Sequence, residues 1–177
     1  MKTITTPLTR NAISGLKAGD TVLLSGAVYT ARDQAHARIA RAIRSRKKPP
    51  FDLRGQVIYF CGPTKTPPGC VIGSCGPTTS RRMDSFSPVL LRAGLSAMIG
   101  KGDRSPEVIG AIKKYHGVYF LAYAGCGALI SQYVRSCRVV AYPALGPEAI
   151  YRLEVEDLPL IVGADSAGRN IYAGMKP

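Results

Sequence analysis

Three positively charged side chains and one threonine stand at points of the chain where α/β proteins often do chemistry. Arg32, Thr78 with Arg82, and Lys101 each come after an apolar run that predicts a β-strand, and strand ends are where such proteins gather their ligands. Arginine can hold a carboxylate through two parallel hydrogen bonds, and lysine adds a point charge. The sequence therefore predicts an anion site whose three cations match a dicarboxylate.

Thr78 and Arg82 are four residues apart. If a helix begins at Thr78 or Thr79, both side chains lie on one face of its first turn, where free backbone N–H groups favour negative charge. A threonine hydroxyl acts as a base only where donors and a nearby cation stabilise its alkoxide. Spacing alone favours the simpler reading of a helix cap beside a surface arginine.

Length and composition predict an ordinary globular protein. The chain has 177 residues, of which 46% are apolar, and we expect one domain covering 1–177. A formal charge of +13 attracts nucleic acid, acidic lipid and small dicarboxylates alike. No segment approaches the roughly 20 apolar residues that span a bilayer, and no signal peptide is apparent. We therefore expect a cytoplasmic protein with no membrane partner.

The cysteines and histidines give little indication of a metal site. The five cysteines are Cys61, Cys70, Cys75, Cys126 and Cys137. They form no CxxC pair, which argues against a zinc finger or a disulfide framework. Cys70 and Cys75 flank a glycine-rich loop, but no third ligand is near in sequence, so we expect no metal in this chain. His36 and His116 are far apart and are predicted at helix surfaces or caps.

A basic segment and several missing motifs narrow the function further. Arg38, Arg41 and Arg44 recur every third residue, and 46–48 extends the run, which is typical of a solvated helix face. The segment lacks the interleaved aromatic residues of nucleic-acid binders, so a nucleic-acid partner is the less favoured interpretation. Neither a GxxxxGK[ST] loop, a GxGxxG turn after a strand, nor a GxSxG elbow occurs.

The elements that must position the candidate residues alternate along the first part of the chain. Apolar and β-branched runs predict strands at 21–30, 56–60, 95–99, 118–123, 138–142, 149–155 and 158–164, and a last strand ending near Tyr172. Helices are predicted at 31–45, from Thr78 or Thr79 to 93–94 with a kink or restart at Pro88, at 105–115 and shortly after Gly127. Strands dominate the end, which indicates a mixed α/β domain with helices packed on a sheet.

One segment allows a more specific interpretation. GPTTSRRMD at 76–84 resembles the GPTT-x-x-RMD signature of class I fumarate hydratases and the related tartrate dehydratases, in their C-terminal domain or separate beta subunit. Four further blocks look like the family's other blocks, in the same order and at similar spacing. They are VYTARDQAH (28–36), CGPTKTPPG (61–69), GKGDRS (100–105) and LGPEAIYRLEVEDLPLIV (145–162). The resemblance extends from about Leu8 to Tyr172.

The resemblance implies a fold of the swivelling β/β/α type and a role for each candidate residue. Thr78 matches the family's catalytic base, and Arg32, Arg82 and Lys101 match its ligands for the substrate carboxylates. The family carries a 4Fe-4S cluster with one iron not bound by cysteine, and this chain looks like the part without the cluster cysteines. The cluster is therefore expected in a partner alpha subunit, with the substrate between the subunits, in a higher hetero-oligomer.

The resemblance leaves the substrate open between two hydro-lyase reactions. GKGDRS and EAIYRLEVEDLPLIV look closer to the enzymes that hydrate fumarate to (S)-malate, so fumarate is favoured over L-tartrate. A basic nucleic-acid-binding module is a distant alternative. The sequence departs from the family pattern at Cys70, Cys75 and Pro88, and the two cysteines leave a redox-sensitive loop possible.

Overall fold

A mixed seven-stranded sheet forms the centre of the computed structural model, which describes residues 1–174. The strands are β1 (Lys2–Thr5), β2 (Thr21–Thr30), β3 (Val57–Tyr59), β4 (Ala97–Gly100), β5 (Val118–Leu121), β6 (Val134–Ala141) and β7 (Ile150–Ala164). The α-helices are α1 (Arg10–Ser14), α2 (Asp33–Arg44), α3 (Ser87–Arg92), α4 (Pro106–Tyr115) and α5 (Gly127–Ser131). Two 3-10 segments cover Ser80–Met83 and Pro143–Glu148.

The sheet closes on itself. Its strand order is β1-β2-β3-β4-β5-β7-β6, with a further pairing between β2 and β7. Strands β2 to β5 run parallel to one another, whereas β7 runs antiparallel to both β5 and β2. Five strands therefore form a closed barrel, which removes the exposed edges of an open sheet. The prediction of a mixed α/β fold is confirmed.

Alternation along the parallel strands divides the buried residues between two cores. Val57 and Tyr59 of β3 lie in the core that fills the barrel. Ile58 and Phe60 lie in the second core, between the barrel and the packed helices. The same period of two in β4 and β5 assigns one face to each core. These strands are buried on both faces, which explains their continuous apolar runs.

Helix α2 connects the barrel to the site described below. Its predicted basic stripe is confirmed, because Arg38, Arg41 and Arg44 are all exposed. The opposite face is buried against the second core and includes Ile39. His36, expected at the helix surface, is instead 1% exposed, because an imidazole that donates one hydrogen bond can pack like an aromatic core residue. No helix among residues 1–174 is both long and apolar enough to cross a membrane.

Two strand predictions were wrong. The runs at 149–155 and 158–164 form one strand, β7. Its register against β2 shifts near Gly26, and Asp157 adopts a positive φ of 52°, so a bulge stands where the sequence indicates a turn. The last strand near Tyr172 is reduced to a single bridge between Ala164 and Asn170. Strand β1 and helix α1 were not predicted.

The predicted helix from Thr78 to 93–94 is also different. A 3-10 segment ends at Met83, and α3 starts separately at Ser87. Pro88 occupies the first turn of α3, where its missing N–H group costs nothing. By contrast, α4 begins as predicted, because the Ser105 side chain accepts a hydrogen bond from the backbone N–H of Val108 at 3.4 Å.

The buried His36 makes the stability of the fold depend on pH. Burial lowers its pKa from 6.5 to about 4, although the Arg32 carbonyl, 2.9 Å from Nδ1, partly opposes this. The unfolded chain therefore binds a proton between pH 6.5 and pH 4 that the folded chain excludes. Stability is complete above pH 6.5 and falls by about 3 kcal/mol by pH 4, at about 1.4 kcal/mol per pH unit.

Urea unfolding between pH 7.5 and pH 4 measures this loss. His36→Phe has no titrating group at this position, and its ring suits neighbours Phe60 and Phe86, so its stability should be nearly flat down to about pH 5. The pKa values of Asp20, Asp52 and Asp165 are also lowered from 3.8, and the loss of stability that these carboxylates cause below about pH 5 is common to both proteins. An equal slope in both proteins would contradict the assignment to His36.

Candidate functional site

Three neighbouring parallel strands end at one edge of the barrel. Beyond β2, the Ala31 N–H donates to the Tyr59 carbonyl at 3.0 Å, and beyond β3 the Phe60 N–H donates to the Ile99 carbonyl at 2.8 Å. Arg32 follows the first of these strands, and Lys101 follows the third. The structure thus brings to one edge the predicted residues that were separated by some 70 positions in the sequence.

The segment containing Thr78 lies along this edge. The Thr78 N–H donates to the Phe60 carbonyl at 2.7 Å, and Thr79 forms a parallel bridge with Lys101. Ser80 closes the contact, because its N–H donates to the Lys101 carbonyl at 3.2 Å. Thr78 and Lys101 are both half-buried. Thr78 therefore precedes the 3-10 turn and is held by strand-like bonds, rather than starting a regular helix.

Hydrogen bonds from Ser80 and Tyr119 to the backbone of Lys101 and Gly102 fix the turn that contains Lys101. The Lys101 N–H donates to Ser80 Oγ at 3.0 Å, Ser80 Oγ lies 2.8 Å from the Tyr119 hydroxyl, and that hydroxyl donates to the Gly102 carbonyl at 2.9 Å. Because Tyr119 has one proton to give, Ser80 must donate to Tyr119. Burial raises the pKa of Tyr119 and keeps it protonated. A Cβ atom at Gly100 would lie 1.9 Å from Ser80 Oγ, so only glycine fits there.

Arg82 is joined to the start of α2 by a two-point ion pair. Its Nε lies 3.0 Å from Asp33 Oδ1, and its Nη2 lies 2.9 Å from Asp33 Oδ2. This contact occupies the Nε/Nη2 edge of the guanidinium and leaves the Nη1/Nη2 edge. The side chain is 52% exposed, so the remaining edge can reach a ligand. The predicted two-point clamp on a carboxylate has to use that edge.

Arg32 lies next to the same carboxylate. Its Nη2 is 3.8 Å from Asp33 Oδ2 and 3.6 Å from Glu148 Oε1, both beyond hydrogen-bond length. Glu148 instead accepts the Gln34 N–H at 2.9 Å and so caps α2. Among residues 1–174, the buried Arg32 Nε has no hydrogen-bond partner. Gly62 leaves room for the arginine, since a Cβ there would lie 2.9 Å from Arg32 Cδ.

The local charge is smaller than the sequence indicates. Three cations, Arg32, Arg82 and Lys101, meet two carboxylates, Asp33 and Glu148. The two carboxylates lie beside the arginines, and within the described residues Lys101 forms no ion pair. The backbone N–H groups at the start of α2 add partial positive charge. The edge therefore remains suited to an anion, with Lys101 as its least compensated charge.

A buried ion pair connects two of the turns that form the edge. Arg104 is completely buried, and its Nε lies 2.7 Å from Asp84 Oδ1. Asp84 Oδ2 accepts the Ser105 N–H at 2.7 Å, and Arg104 Nη2 donates to Ser87 Oγ at 2.6 Å. The guanidinium also lies over the Tyr119 ring, 4.9 Å from its centroid. These contacts hold the turn after β4 against the turn that follows Met83.

Sequence reasoning missed several residues that build this edge. Asp33, Asp84, Arg104 and Glu148 all lie inside the sequence blocks described above, so the blocks were the available signal. Their pairing joins distant positions, which spacing cannot reveal. Tyr119 lies in a strand and carries no such signal.

The cysteines of the long loop differ in exposure. Cys70 is exposed, whereas Cys61 and Cys75 are both buried. The hydrogen bond to Cys75 and burial raise the pKa of Cys61, and the same bond lowers the pKa of Cys75. Within residues 1–174, no three His, Cys, Asp or Glu side chains are grouped to hold a metal ion. At the edge, the carboxylates of Asp33 and Glu148 lie beside arginines instead.

The fold and the edge together define the class of the domain: a closed α/β barrel with helices packed outside and cations beyond its parallel strand ends. Residues 2–175 match the sequence model of the family described as Fumarase C-terminus. The chain belongs to that family.

Its relatives include subunits and larger proteins. A protein of Methanocaldococcus jannaschii named as a candidate L(+)-tartrate dehydratase subunit beta is 41% identical, over 93% of this chain and 88% of the relative. The anaerobic class I fumarate hydratase of Escherichia coli is 40% identical over 84% of this chain, which spans 28% of that protein. The L(+)-tartrate dehydratase subunit beta of Escherichia coli is 32% identical, over 99% of this chain and 88% of the relative.

The buried pair should matter more for stability than an exposed one. Arg104→Met leaves Asp84 without its partner, and we expect a loss of about 3–5 kcal/mol in the free energy of unfolding. Arg135→Met is the matched control, because Arg135 pairs with Glu156 at the surface with side chains 56% and 58% exposed. Its loss should stay below about 1 kcal/mol. Denaturant unfolding of both variants measures the difference, and equal losses would refute the role given to Arg104.

Proposed function

We propose that this chain acts as the beta subunit of a hydro-lyase that reversibly hydrates fumarate to (S)-malate. The observation that supports the proposal most directly is the joint position of Thr78, Arg32, Arg82 and Lys101 at one edge of the barrel. The family resemblance assigns these four residues to catalysis and carboxylate binding, and family membership rests on residues 2–175.

The three cations bind and orient the dianion in this proposal. Lys101 attracts one carboxylate as a point charge, because its own carboxylate partners are lacking in the described chain. The Nη1/Nη2 edge of Arg82 binds a carboxylate at two points, while Asp33 fixes its other edge. Arg32 adds positive charge beside them. Such fixed donors stabilise the extra negative charge that develops when a proton leaves the carbon next to a carboxylate.

Thr78 is the base in this proposal. In its alkoxide form, Thr78 takes a proton from the carbon next to a substrate carboxylate during dehydration. The resulting hydroxyl returns the proton to that carbon during hydration. Threonine needs a stabilised alkoxide for this role, and Lys101, whose backbone bridges to the adjoining Thr79, supplies a neighbouring cation. Half-burial of Thr78 removes part of the stabilisation that water would give an alkoxide, so fixed donors and cations at the edge have to replace it.

The remaining half of the chemistry is assigned to a partner. We infer an alpha subunit that carries a 4Fe-4S cluster, whose open iron would supply a Lewis acid for the substrate hydroxyl. Among residues 1–174, no three His, Cys, Asp or Glu side chains are grouped to hold a metal, which is compatible with a cluster carried by a partner. Two relatives matched over 88% of their length bear names of beta subunits, which supports a hetero-oligomer.

Fumarate is the preferred substrate and L-tartrate the alternative. The preference rests on the GKGDRS and EAIYRLEVEDLPLIV blocks, because identity does not decide between the substrates: it is 40% to an Escherichia coli fumarate hydratase and 32% to the tartrate dehydratase subunit of that organism. The archaeal relative at 41% keeps tartrate open. Assays of the assembled enzyme with fumarate, (S)-malate and both tartrate enantiomers would decide, and turnover of tartrate alone would reject our first choice.

Substitutions at the edge should separate chemistry from binding. In the assembled enzyme, Thr78→Val keeps the side-chain shape but removes the hydroxyl, and we expect kcat to fall by about 10²–10⁴ with little change in KM. Lys101→Met should mainly raise KM, because it removes binding charge. Steady-state kinetics with (S)-malate measures both.

Thr3→Val on the exposed strand β1 is the matched control for Thr78→Val and should behave like the native enzyme. Full activity of Thr78→Val would remove the threonine from the mechanism. A preparation with its partner and cluster intact that turns over none of the four substrates would reject the proposed function as a whole.

A further inference from the structure

A groove lies at the far end of α2 from the candidate site. Helix α2 has 12 residues, and a rise of 1.5 Å per residue separates its ends by about 18 Å. The groove has a volume of about 620 Å³, which is within the range of small-molecule sites. It is formed by the segment that follows α2, by the chain leading to β3, and by the end of α3.

The groove is strongly positive. Four of its lining residues are cations, and Asp52 is its one carboxylate. Arg54 already pairs with Asp52 through Nε at 3.1 Å and Nη2 at 2.7 Å, and this contact lowers the pKa of Asp52 to about 2. The pair fixes the direction of the arginine, while Lys47 and Lys48 remain exposed. The four cations and one carboxylate give the lining a net charge of +3.

The helix dipole explains only part of this charge. Cations in the last turn of a helix stabilise it, which accounts for Arg41 and Arg44. Arg46 to Lys48 lie beyond the helix, and Arg54 comes from another segment with a backbone bridge to Leu95. The groove cations therefore need a different explanation.

Arg46 occupies a position that normally favours glycine. The Lys47 N–H donates to the Ala42 carbonyl at 2.9 Å, and the Arg46 N–H donates to the Ile43 carbonyl at 3.0 Å, which together form a Schellman motif. Arg46 adopts the left-handed conformation that this motif requires, with a φ of 55°. A side chain there is strained where glycine is not. Replacement of Arg46 by glycine therefore removes a groove cation without disturbing this turn.

The floor of the groove is apolar. Leu53 is fully buried, and Ile43 and Ala93 are partly buried against the second core. Phe51 is the one aromatic ring in the lining, and it is stacked on Tyr29 with centroids 3.9 Å apart. A nucleic acid needs successive rings for its bases, which this floor does not offer. A compact ligand with several charges and an organic body fits better.

We propose that this groove binds an organic polyphosphate, with the phosphates held by Arg46, Lys47, Lys48 and Arg54 and the organic body resting on the apolar floor. Arginine and lysine together are the usual protein ligands of phosphate. The groove is separate from the candidate site at the edge of the barrel, which we call the dicarboxylate edge. The inference therefore does not depend on the proposed function.

Calorimetric titration of the full chain with ATP tests the proposal, with inorganic tripolyphosphate and a ten-nucleotide RNA as comparison ligands. Arg46→Gly should raise the Kd for ATP about tenfold or more, while the melting temperature should not fall, because glycine relieves the strain. Arg41→Gln is the matched control, since it removes one exposed charge from the adjoining helix face, and it should change the Kd by less than about threefold. Lys101→Met should bind ATP normally.

Several results of the titrations would contradict polyphosphate binding in the groove. Absence of ATP binding at millimolar concentration, or equal losses in Arg46→Gly and Arg41→Gln, would overturn the proposal. Loss of binding in Lys101→Met would assign ATP to the dicarboxylate edge instead and would also overturn it. Equal affinity for tripolyphosphate and ATP would refute a role for the apolar floor, and tighter binding of the RNA would favour a nucleic-acid surface.

Discussion

Strand β7 pairs with β2 from Thr21 to Tyr29, and this antiparallel contact closes the barrel. Without it, the parallel strands β2 to β5 would form an open sheet with an exposed edge. Closure has two consequences: the interior must be filled by one set of alternating side chains, and the helices must pack outside. The carboxyl ends of β2, β3 and β4 then lie at one edge of the barrel, so the position of every candidate site residue depends on this contact.

Strand ends alone do not fix side chains to the accuracy that a binding site needs, because the connecting segments are irregular. Here buried polar contacts supply the missing order. Arg104 holds Asp84, and Ser80 holds the Lys101 turn through Tyr119. Buried ions and hydroxyls add little net stability over an apolar core, but they tolerate few alternative geometries when every partner is satisfied. These buried polar contacts therefore mainly fix the orientation of the site residues at the edge of the barrel.

The parts of the fold that were predictable are those whose signal is local. Strand β2 matches its predicted bounds, and Ser105 followed by Pro106 correctly predicts the start of α4. The split of β7 arose because a bulge at Asp157 looks like a turn in sequence. The three candidate cations, Arg32, Arg82 and Lys101, were singled out because charge after an apolar run is also a local signal. The pair between Arg82 and Asp33 joins positions 49 apart, and no periodicity carries that information.

Helix α2 contributes to both ends of the charged surface, which raises the question of whether the dicarboxylate edge and the basic groove influence each other. Communication would require α2 to occupy two positions. Its first turn is held by the Arg82–Asp33 pair and by His36, whose ring contacts the Arg32 carbonyl inside the core. A shift of the helix would break these contacts together and expose Ile39. The packing therefore favours two independent sites on one rigid helix.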